Sequence, residues 1–250
     1  MTSKKKLIAG NWKMNGSLAG NAALIEGLRE HIGAPSCEVA VCVPAPYLAQ
    51  VQSLLAGTRI ELGAQDVSAE SQGAFTGDCS ATMLKEFGVR YAIVGHSERR
   101  KFHRETDVEV AAKAAAALSH GITPIVCVGE SLEERDAGHT AEVVKRQLAA
   151  VIHLNGHCIS EIVVAYEPIW AIGTGQTAAP EQAQAVHALL RAQLHHAASE
   201  HAAGIRILYG GSMNASNAAD LLAQPDIDGG LIGGASLVAP NFLQIIASAR

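Results

Sequence analysis

Short apolar runs alternate with longer stretches of helical periodicity along the whole chain. The apolar runs predict eight β-strands, at Lys6–Trp12, Glu38–Val43, Arg59–Ala64, Tyr91–Gly95, Thr123–Val128, Glu161–Ala165, Ile205–Tyr209 and Ile227–Ile232. The periodic stretches predict helices at Leu18–His31, Pro46–Ala56, Ser80–Phe87, Glu105–Ser119, Leu132–Ile152, Pro180–Ala203, Ser216–Leu222 and Pro240–Ala249. Each predicted strand is therefore followed by one predicted helix.

This alternation favours parallel strands joined by helical crossovers. Most of the apolar runs are continuously hydrophobic, as in Thr123–Val128, which indicates strands that are covered on both faces. Eight units in 250 residues average about 31 residues each, which agrees with a closed eightfold barrel. A doubly wound open sheet shares the alternation but rarely needs eight complete units. No linker divides the chain, so we predict an α/β fold in which residues 1–250 form one (β/α)8 barrel with a closed, parallel eight-stranded sheet.

Composition and charge exclude several classes of protein. The chain is 48% hydrophobic and 17% charged, which is typical of a globular domain, and its net charge of −5 gives no basic field for nucleic acid. Lys113 and the turn at 119–121 interrupt the alanine-rich region, so no stretch reaches the roughly 18 apolar residues of a membrane span. The apolar run behind Lys4–Lys6 is too short for a signal peptide. We therefore expect a soluble, cytoplasmic protein that binds neither nucleic acid nor membrane.

The cysteine and histidine patterns give no reason to expect a metal. The five cysteines are odd in number and include no Cys-x-x-Cys pair, so neither a disulfide framework nor a zinc site is indicated. His153 and His157 have the spacing of a helical metal pair, but the turn dipeptide Asn155-Gly156 between them breaks the required helix face. We expect reduced core thiols and no bound metal.

Polar side chains follow the first, fourth and sixth predicted strands. Asn11 and Lys13 follow the first strand, His96 and Glu98 the fourth, and Glu167 the sixth. In a parallel barrel these strand ends converge on one mouth, where such enzymes carry their catalytic groups. A carboxylate, an imidazole and an ammonium group without a covalent nucleophile are suited to moving a proton between carbon atoms. The imidazole is expected near a helix N-terminus, whose dipole would favour its neutral form.

The segment 168–177, here called the flap, has the composition of a hinged cover for the preceding carboxylate. Pro168 fixes one end, glycines such as Gly173 permit the other end to move, and Trp170 and Ile172 supply apolar surface. Closing the flap would exclude water and raise the basicity of the carboxylate beneath it. Taken alone, the segment is equally compatible with an ordinary solvated turn between strand and helix.

Two glycine-rich turns follow the seventh and eighth predicted strands, at Gly210–Ser212 and Gly233–Ser236. Glycine lets successive backbone N–H groups face a ligand, and each turn precedes a predicted helix whose N-terminus carries partial positive charge. Tight turns alone would explain one such glycine pair, but two in the last two units of a barrel indicate a phosphate site. A small phosphorylated carbonyl compound is therefore the expected substrate class.

The connection Gln65–Cys79 is unusually long and has no periodicity. Long structureless loops in compact domains are usually functional or are bound to something. This loop carries Phe75 between Gly73 and Gly77, which makes it a candidate contact with a partner molecule. The alternative is a surface excursion without a function.

Five segments resemble the signature segments of the triosephosphate isomerase family: Asn11–Asn15, Gly95–Arg100, Ala165–Gly175, Tyr209–Ser212 and Gly233–Ser236. They occur in the family's order and extend over essentially the whole chain. The resemblance implies a TIM barrel that interconverts dihydroxyacetone phosphate and D-glyceraldehyde 3-phosphate through an enediol(ate), a step of glycolysis and gluconeogenesis. It also implies that no cofactor is required.

The resemblance assigns a role to each polar residue at the strand ends. It implies that Glu167 is the catalytic base and His96 the electrophile, that Lys13 and Asn11 contact the substrate, and that Glu98 is a supporting carboxylate.

It further implies that Gly173, Ser212, Gly233 and Gly234 bind the substrate phosphate. The long loop is similar to the dimer loop of the family, so Phe75, Thr76 and Gly77 are expected at a homodimer interface, with Thr76 reaching the neighbour's active site.

Two other functions are compatible with parts of the pattern. The segment 173–178 satisfies the G-x-G-x-x-A fingerprint of a nicotinamide-dependent oxidoreductase, but no second strand ends in an acidic residue about 20 residues later. A barrel that binds a phosphorylated ligand without turnover would keep the glycine turns, but it would not need Lys13, His96 and Glu167 together.

Overall fold

The computed structural model describes residues 4–173, 177–199 and 201–250. Within them, eight parallel strands form a closed barrel in sequence order. The strands are β1 (Leu7–Asn11), β2 (Glu38–Val43), β3 (Ile60–Ala64), β4 (Tyr91–Val94), β5 (Thr123–Val128), β6 (Val163–Tyr166), β7 (Arg206–Tyr209) and β8 (Gly229–Ile232). β1 pairs with both β2 and β8, which closes the sheet. The predicted (β/α)8 barrel is confirmed.

The described residues contain ten α-helices outside the barrel. They are α1 (Leu18–His31), α2 (Leu48–Leu55), α3 (Ala81–Glu86), α4 (Ser97–His103), α5 (Asp107–Ser119), α6 (Leu132–Asp136), α7 (Thr140–Asn155), α8 (Pro180–Ala198), α9 (Ala218–Leu222) and α10 (Ala239–Ser248). In this part of the chain, no helix combines the length and apolar character needed to cross a bilayer.

The prediction of one helix per strand was wrong in two units. After β4, the additional helix α4 is followed by Arg104 in the left-handed conformation (φ 60°), and a capping box at Thr106 then starts α5. After β5, the single helix predicted at Leu132–Ile152 is divided into α6 and α7 around Gly138, whose φ is 78°. Both divisions depend on a residue in the left-handed region, and such a residue cannot continue a right-handed helix.

The strands are buried because both of their faces are covered. One set of side chains fills the barrel interior: Leu7, Ala9, Ala40, Cys42, Tyr91, Ile93, Ile125, Cys127, Val163, Ala165, Leu208 and Leu231. The intervening residues, such as Ile8 and Val126, belong to a second layer that packs against the helices. The alternation follows from the two-residue period of a strand, and it explains why the strand sequences are continuously apolar.

All five cysteines are free thiols. Burial raises the pKa of Cys42 to about 12, so this thiol stays protonated at neutral pH. Cys127 and Cys37 are also buried, and burial raises the pKa of both. These three cysteines therefore act as small apolar core residues.

Candidate active site

A cavity of about 360 Å³ opens at the C-terminal end of the barrel. Its lining includes most of the site residues predicted from sequence: Asn11, Lys13, His96, Glu167, Gly173, Ser212, Gly233 and Gly234. Glu98 does not line this cavity but reaches it through Lys13, because the Glu98 carboxylate lies 2.5 Å from the Lys13 Nζ atom. The structure thus brings together groups that are distributed over more than 200 residues of sequence.

Glu167 directly follows β6 and is almost completely buried. Its N–H donates to the Val128 carbonyl at 2.7 Å, which continues the β5–β6 pairing by one residue. The Oε1 atom lies 2.9 Å from His96 Nε2 and accepts from the Ser97 hydroxyl at 3.2 Å, and Oε2 accepts from the Ser97 N–H at 2.9 Å. Every donor near the carboxylate therefore favours its ionised form.

We predicted that covering this carboxylate would raise its basicity. While it is in contact with His96 and Ser97, however, its pKa is lowered. Burial raises the pKa of Glu167, but the charge and hydrogen bond of His96 and the Ser97 N–H outweigh burial and hold the pKa below its ordinary value. The carboxylate is therefore ionised at neutral pH and ready to accept a proton. Taking up that proton would require it to exchange its present donors.

His96 caps the N-terminus of α4, as expected from sequence. Its Nδ1 atom accepts from the Glu98 N–H at 3.2 Å, so the proton on its ring lies on Nε2 and points to Glu167. Burial disfavours charge on the ring, yet the Glu167 carboxylate outweighs burial and raises the pKa of His96 above its ordinary value. The expected shift toward the neutral form is thus overridden while the two side chains are in contact, and Nε2 remains a donor in either form.

Lys13 lies in the left-handed region, with a φ of 52°. A non-glycine residue held there costs about 1–3 kcal/mol and is typical of functional sites. Its N–H donates to Asn11 Oδ1 at 3.0 Å, and its carbonyl accepts from Gln65 Nε2 at 2.9 Å. These bonds hold the strained backbone and fix the point from which the ammonium group enters the cavity.

The turn after β8 is folded by Ser236, which is fully buried. The Ser236 hydroxyl and N–H both donate to the Gly233 carbonyl, at 2.7 Å and 2.9 Å. A side chain at Gly233 would meet the Lys13 Cε atom, and one at Gly234 would meet open space. The glycine turn and the ammonium group therefore lie side by side at one end of the cavity, where an anion can contact both.

The flap begins just after Glu167 with a short 3-10 turn at Ile169–Ala171. Trp170 Nε1 donates to Glu130 Oε1 at 2.9 Å, and the Ser212 hydroxyl donates to the Ala171 carbonyl at 2.7 Å. The flap is thus attached to the loops that follow the two neighbouring strands, β5 and β7. Residues 174–176, which include the second hinge glycine and the centre of the G-x-G-x-x-A fingerprint, lie outside the described residues.

Sequence reasoning missed two polar residues of this site. Gln65 directly follows β3 and bonds to the carbonyls of Lys13 and Cys42. Glu130 lies two residues beyond β5, is fully buried, and accepts from the hydroxyl of Tyr166 as well as from Trp170. Burial raises the pKa of Glu130. Both residues could have been found by applying the strand-end rule to the third and fifth strands as well.

The long loop 65–79 lies beside the active-site mouth. Its ends are joined by a Ser68 N–H bond to the Cys79 carbonyl at 2.8 Å. Thr76 and Gly77 line a second cavity, of about 460 Å³, together with Met14. Met14 is 96% exposed, and Phe75 and Phe102 are also exposed. Exposed apolar groups next to a cavity are typical of an interaction surface.

In the described ranges, no three His, Cys, Asp or Glu side chains are grouped so that they could hold a metal ion. The site is built from proton-transfer and anion-binding groups: a buried carboxylate, an imidazole that donates from Nε2, an ammonium group and a glycine turn. Such a set can remove a proton from carbon, stabilise the oxyanion that results and hold an anionic substrate.

The chain is similar to known proteins over nearly its whole length. Residues 6–249 match the model of the triosephosphate isomerase family. The triosephosphate isomerase of Albidiferax ferrireducens is 72% identical over 246 residues, which cover 98% of this chain and 99% of that protein. The triosephosphate isomerases of Paracidovorax citrulli and Delftia acidovorans are 71% and 67% identical over 250 residues, with 99% of this chain covered in each case.

Proposed function

Since the chain belongs to the triosephosphate isomerase family, we propose that Glu167, His96 and Lys13 carry the interconversion of dihydroxyacetone phosphate and D-glyceraldehyde 3-phosphate in it. The observation that carries this assignment is the contact of His96 Nε2 with Glu167 Oε1 at 2.9 Å, within the cavity that Lys13 also lines. A proton donor and an ionised carboxylate are thereby within reach of one small molecule.

In this proposal, Glu167 removes a proton from one carbon of the substrate and returns it to the neighbouring carbon. Its depressed pKa keeps it in the basic form before the substrate arrives. As the substrate enters, its carbonyl and hydroxyl oxygens replace the carboxylate as the acceptor of the His96 Nε2 proton. The carboxylate then loses a stabilising donor, so its basicity rises at the step that requires it.

Negative charge develops on the substrate oxygens as the enediolate forms. His96 Nε2 and the Lys13 ammonium group are the donors available for this charge. Because both are fixed before the reaction, they stabilise the charge without a further reorganisation cost. Lys13 is held by its strained backbone, and Glu98 accepts from its Nζ atom at 2.5 Å. We assign Asn11 to substrate contact beside Lys13, because it lines the same cavity.

The phosphate is assigned to the glycine end of the cavity. Gly233 and Gly234 would supply backbone N–H groups there, and Ser212 and Gly173, which line the same cavity, would complete the phosphate site. Lys13 lies beside Gly233 in the same cavity, so in this assignment its charge would serve both phosphate binding and catalysis. The flap, attached through Trp170 and Ser212, would exclude water from the enediolate.

We also infer that the protein is a homodimer that acts in the cytoplasm. The dimer is supported by three exposed apolar side chains: Met14, which lines the second cavity, Phe102, which lines a neighbouring cavity together with Met14, and Phe75 on the 65–79 loop. A second copy would cover them by inserting the tip of its own 65–79 loop, with Thr76 near the first copy's active site. The five free thiols are typical of a reducing compartment.

The test of this function is a coupled isomerase assay in both directions with the purified protein. Turnover of both triose phosphates is expected without added metal, and the nicotinamide in the assay serves only the coupling dehydrogenase. If the protein is inactive toward both, yet binds a phosphorylated ligand, the non-catalytic alternative replaces the proposal. A change in NADH fluorescence on titration with the protein would instead favour the oxidoreductase.

A further inference from the structure

We propose that Gln147, on α7, is a positioning residue that fixes the catalytic carboxylate through the main chain of Gly129. This inference rests on the role of Glu167 proposed above. Gln147 is buried and lies behind the barrel wall, outside the active-site cavity. It therefore acts on the reaction only through the residues that it holds.

The Gln147 side chain forms hydrogen bonds with both main-chain polar groups of Gly129. Its Oε1 atom accepts from the Gly129 N–H at 2.8 Å, and its Nε2 donates to the Gly129 carbonyl at 3.2 Å. Gly129 is the first residue after β5, at the point where the strand ladder ends. The two bonds from Gln147 thus restrain the main chain of Gly129, just beyond the point where strand pairing stops doing so.

The segment 128–130 in turn holds the main chain of Glu167 and of the residues that follow it. Glu167 N–H donates to the Val128 carbonyl at 2.7 Å, and Ile169 N–H donates to the Glu130 carbonyl at 3.1 Å. Between these two bonds, Gly129 packs so closely on Glu167 that a methyl group at Gly129 would overlap the Glu167 carbonyl. The position of Gly129 is therefore transmitted directly to the residue that carries the base.

Gln147 is expected to affect turnover more than substrate binding. Without its amide, the buried N–H and carbonyl of Gly129 lose their partner, and the segment shifts to find another one. A shift of the order of 1 Å at a reacting group can cost about 100-fold in rate. The protein groups assigned to phosphate binding, by contrast, belong mainly to the turns after β7 and β8, which Gln147 does not contact. The loss should consequently appear in kcat rather than KM.

Asn155 provides a matched control on the same helix. It is also a buried amide, and its Nδ2 donates to the carbonyls of Ala111 and Val151, each at 3.1 Å. These bonds hold α7 to α5 and to itself, and they do not reach Gly129. A substitution there removes a comparable buried amide without disturbing the support of Glu167.

The first experiment compares Gln147→Leu with Asn155→Leu, with thermal unfolding measured to confirm that both variants are folded at the assay temperature. We expect Gln147→Leu to lower kcat by about 10- to 100-fold and to change KM less than about twofold. Asn155→Leu should lose stability and keep kcat within about twofold. Equal losses of kcat in both variants, or an unchanged kcat in Gln147→Leu, would overturn the inference.

Gln147→Glu keeps the shape of the side chain and makes its donor depend on pH. Only the protonated carboxyl can donate to the Gly129 carbonyl, because the ionised form places an anionic oxygen against it. The kcat of this variant should approach the wild-type value at low pH and fall as the introduced group ionises. Asn155→Asp should show no corresponding step. A Gln147→Glu profile that parallels the wild type would contradict the role proposed for Gln147.

A double variant separates failure of this inference from failure of the proposed function. In Glu167→Gln the base is absent, so adding Gln147→Leu should lower the remaining rate by less than about twofold. If Glu167→Gln is slow and Gln147→Leu still lowers its rate by the full wild-type factor, only the positioning role is overturned. If Glu167→Gln retains wild-type turnover, the base is misassigned and both proposals fall.

Discussion

The two ends of the barrel use similar side chains for opposite purposes. At the N-terminal end, Glu38 Oε2 accepts from the Tyr91 hydroxyl at 2.7 Å and from Arg206 at 2.7 Å, and Arg206 also donates to the Tyr91 hydroxyl at 3.0 Å. These groups satisfy one another. At the C-terminal end, Glu167 and His96 are also paired, at 2.9 Å, but they line a cavity in which a ligand can replace either partner.

A close pair of a carboxylate and a basic side chain is therefore not by itself a sign of catalysis. What differs is what lies beside the pair. Glu38, Tyr91 and Arg206 each come from a different strand and close the end of the barrel. The Glu167–His96 pair, to which we assign the proton transfer, lies against the glycine turn after β7 and lines the cavity together with Ile172 and Gly173 of the flap. Such a division, with stability at one end and chemistry at the other, is general in this fold.

Replacing one carboxylate at each end by its neutral amide should give the largest difference in kcat between the two ends. Glu167→Gln keeps the side-chain shape but removes the base, so kcat should fall by at least about 10²–10⁴-fold. Glu38→Gln should lower stability and leave kcat near the wild-type value, because its partners lie far from the substrate. Steady-state kinetics and thermal unfolding of both variants measure this. Near wild-type turnover in Glu167→Gln would refute the mechanism.

A cation provides the second comparison. Lys13→Met removes the ammonium group from the phosphate and oxyanion positions, so kcat should fall by about 100-fold and KM should rise. Arg206→Met removes a cation of the N-terminal end and should affect stability alone. Kinetic constants for both triose phosphates provide the test. A Lys13→Met variant with a raised KM and an unchanged kcat would limit Lys13 to phosphate binding.

Much of the catalytic end could be predicted from the sequence. The strand-end rule depends only on where apolar runs stop, and it locates Glu167, His96 and Lys13 because each lies one or two residues beyond the end of such a run. The glycine turns were recognisable for the same reason. Gln147 could not be found in this way, since its contact with Gly129 depends on how α7 rotates against β5. Nothing in the local sequence specifies that rotation.

The electrostatics of the site were harder to predict than its composition. A buried carboxylate is expected to have a raised pKa, and Glu167 is almost completely buried. Its pKa is nevertheless lowered, because His96 Nε2 and the Ser97 N–H both point at it within 2.9 Å. The direction of the shift depends on distances that only the folded chain defines. The same contact reverses the expected shift at His96.

An intermediate effect is expected from the 65–79 loop. Replacing residues 73–77 with a short turn should yield a monomer, because the replacement removes Phe75 and Thr76 from the proposed interface. Activity should fall by about tenfold or more, since the neighbour's support for the active site is lost. Sedimentation velocity and the isomerase assay measure the two effects. A shortened variant that remains dimeric, or a fully active monomer, would show that the loop has another role.

The smallest expected effect is a pH dependence of stability that arises from a buried histidine outside the active site. His187, on α8, is fully buried, its Nδ1 lies 3.1 Å from the Asp226 carbonyl, and its Nε2 has no partner among the described residues. Burial lowers the pKa of His187 to about 4, against the influence of the Asp226 carbonyl and of the Asp228 carboxylate, while Arg191 adds to the lowering. The folded protein therefore keeps the ring neutral under conditions that protonate it in the unfolded chain.

The sign of the pH dependence follows from this difference. Between an unfolded pKa of about 6.5 and a folded pKa of about 4, the unfolded chain binds more protons, so stability falls as the pH decreases through that window. The loss should reach about 3 kcal/mol at the low end and vanish above pH 7. Urea unfolding at several pH values should show a shallower decline in His187→Gln than in the wild type. Parallel declines in the two proteins would assign the acid sensitivity to other groups, such as the carboxylates at the N-terminal end.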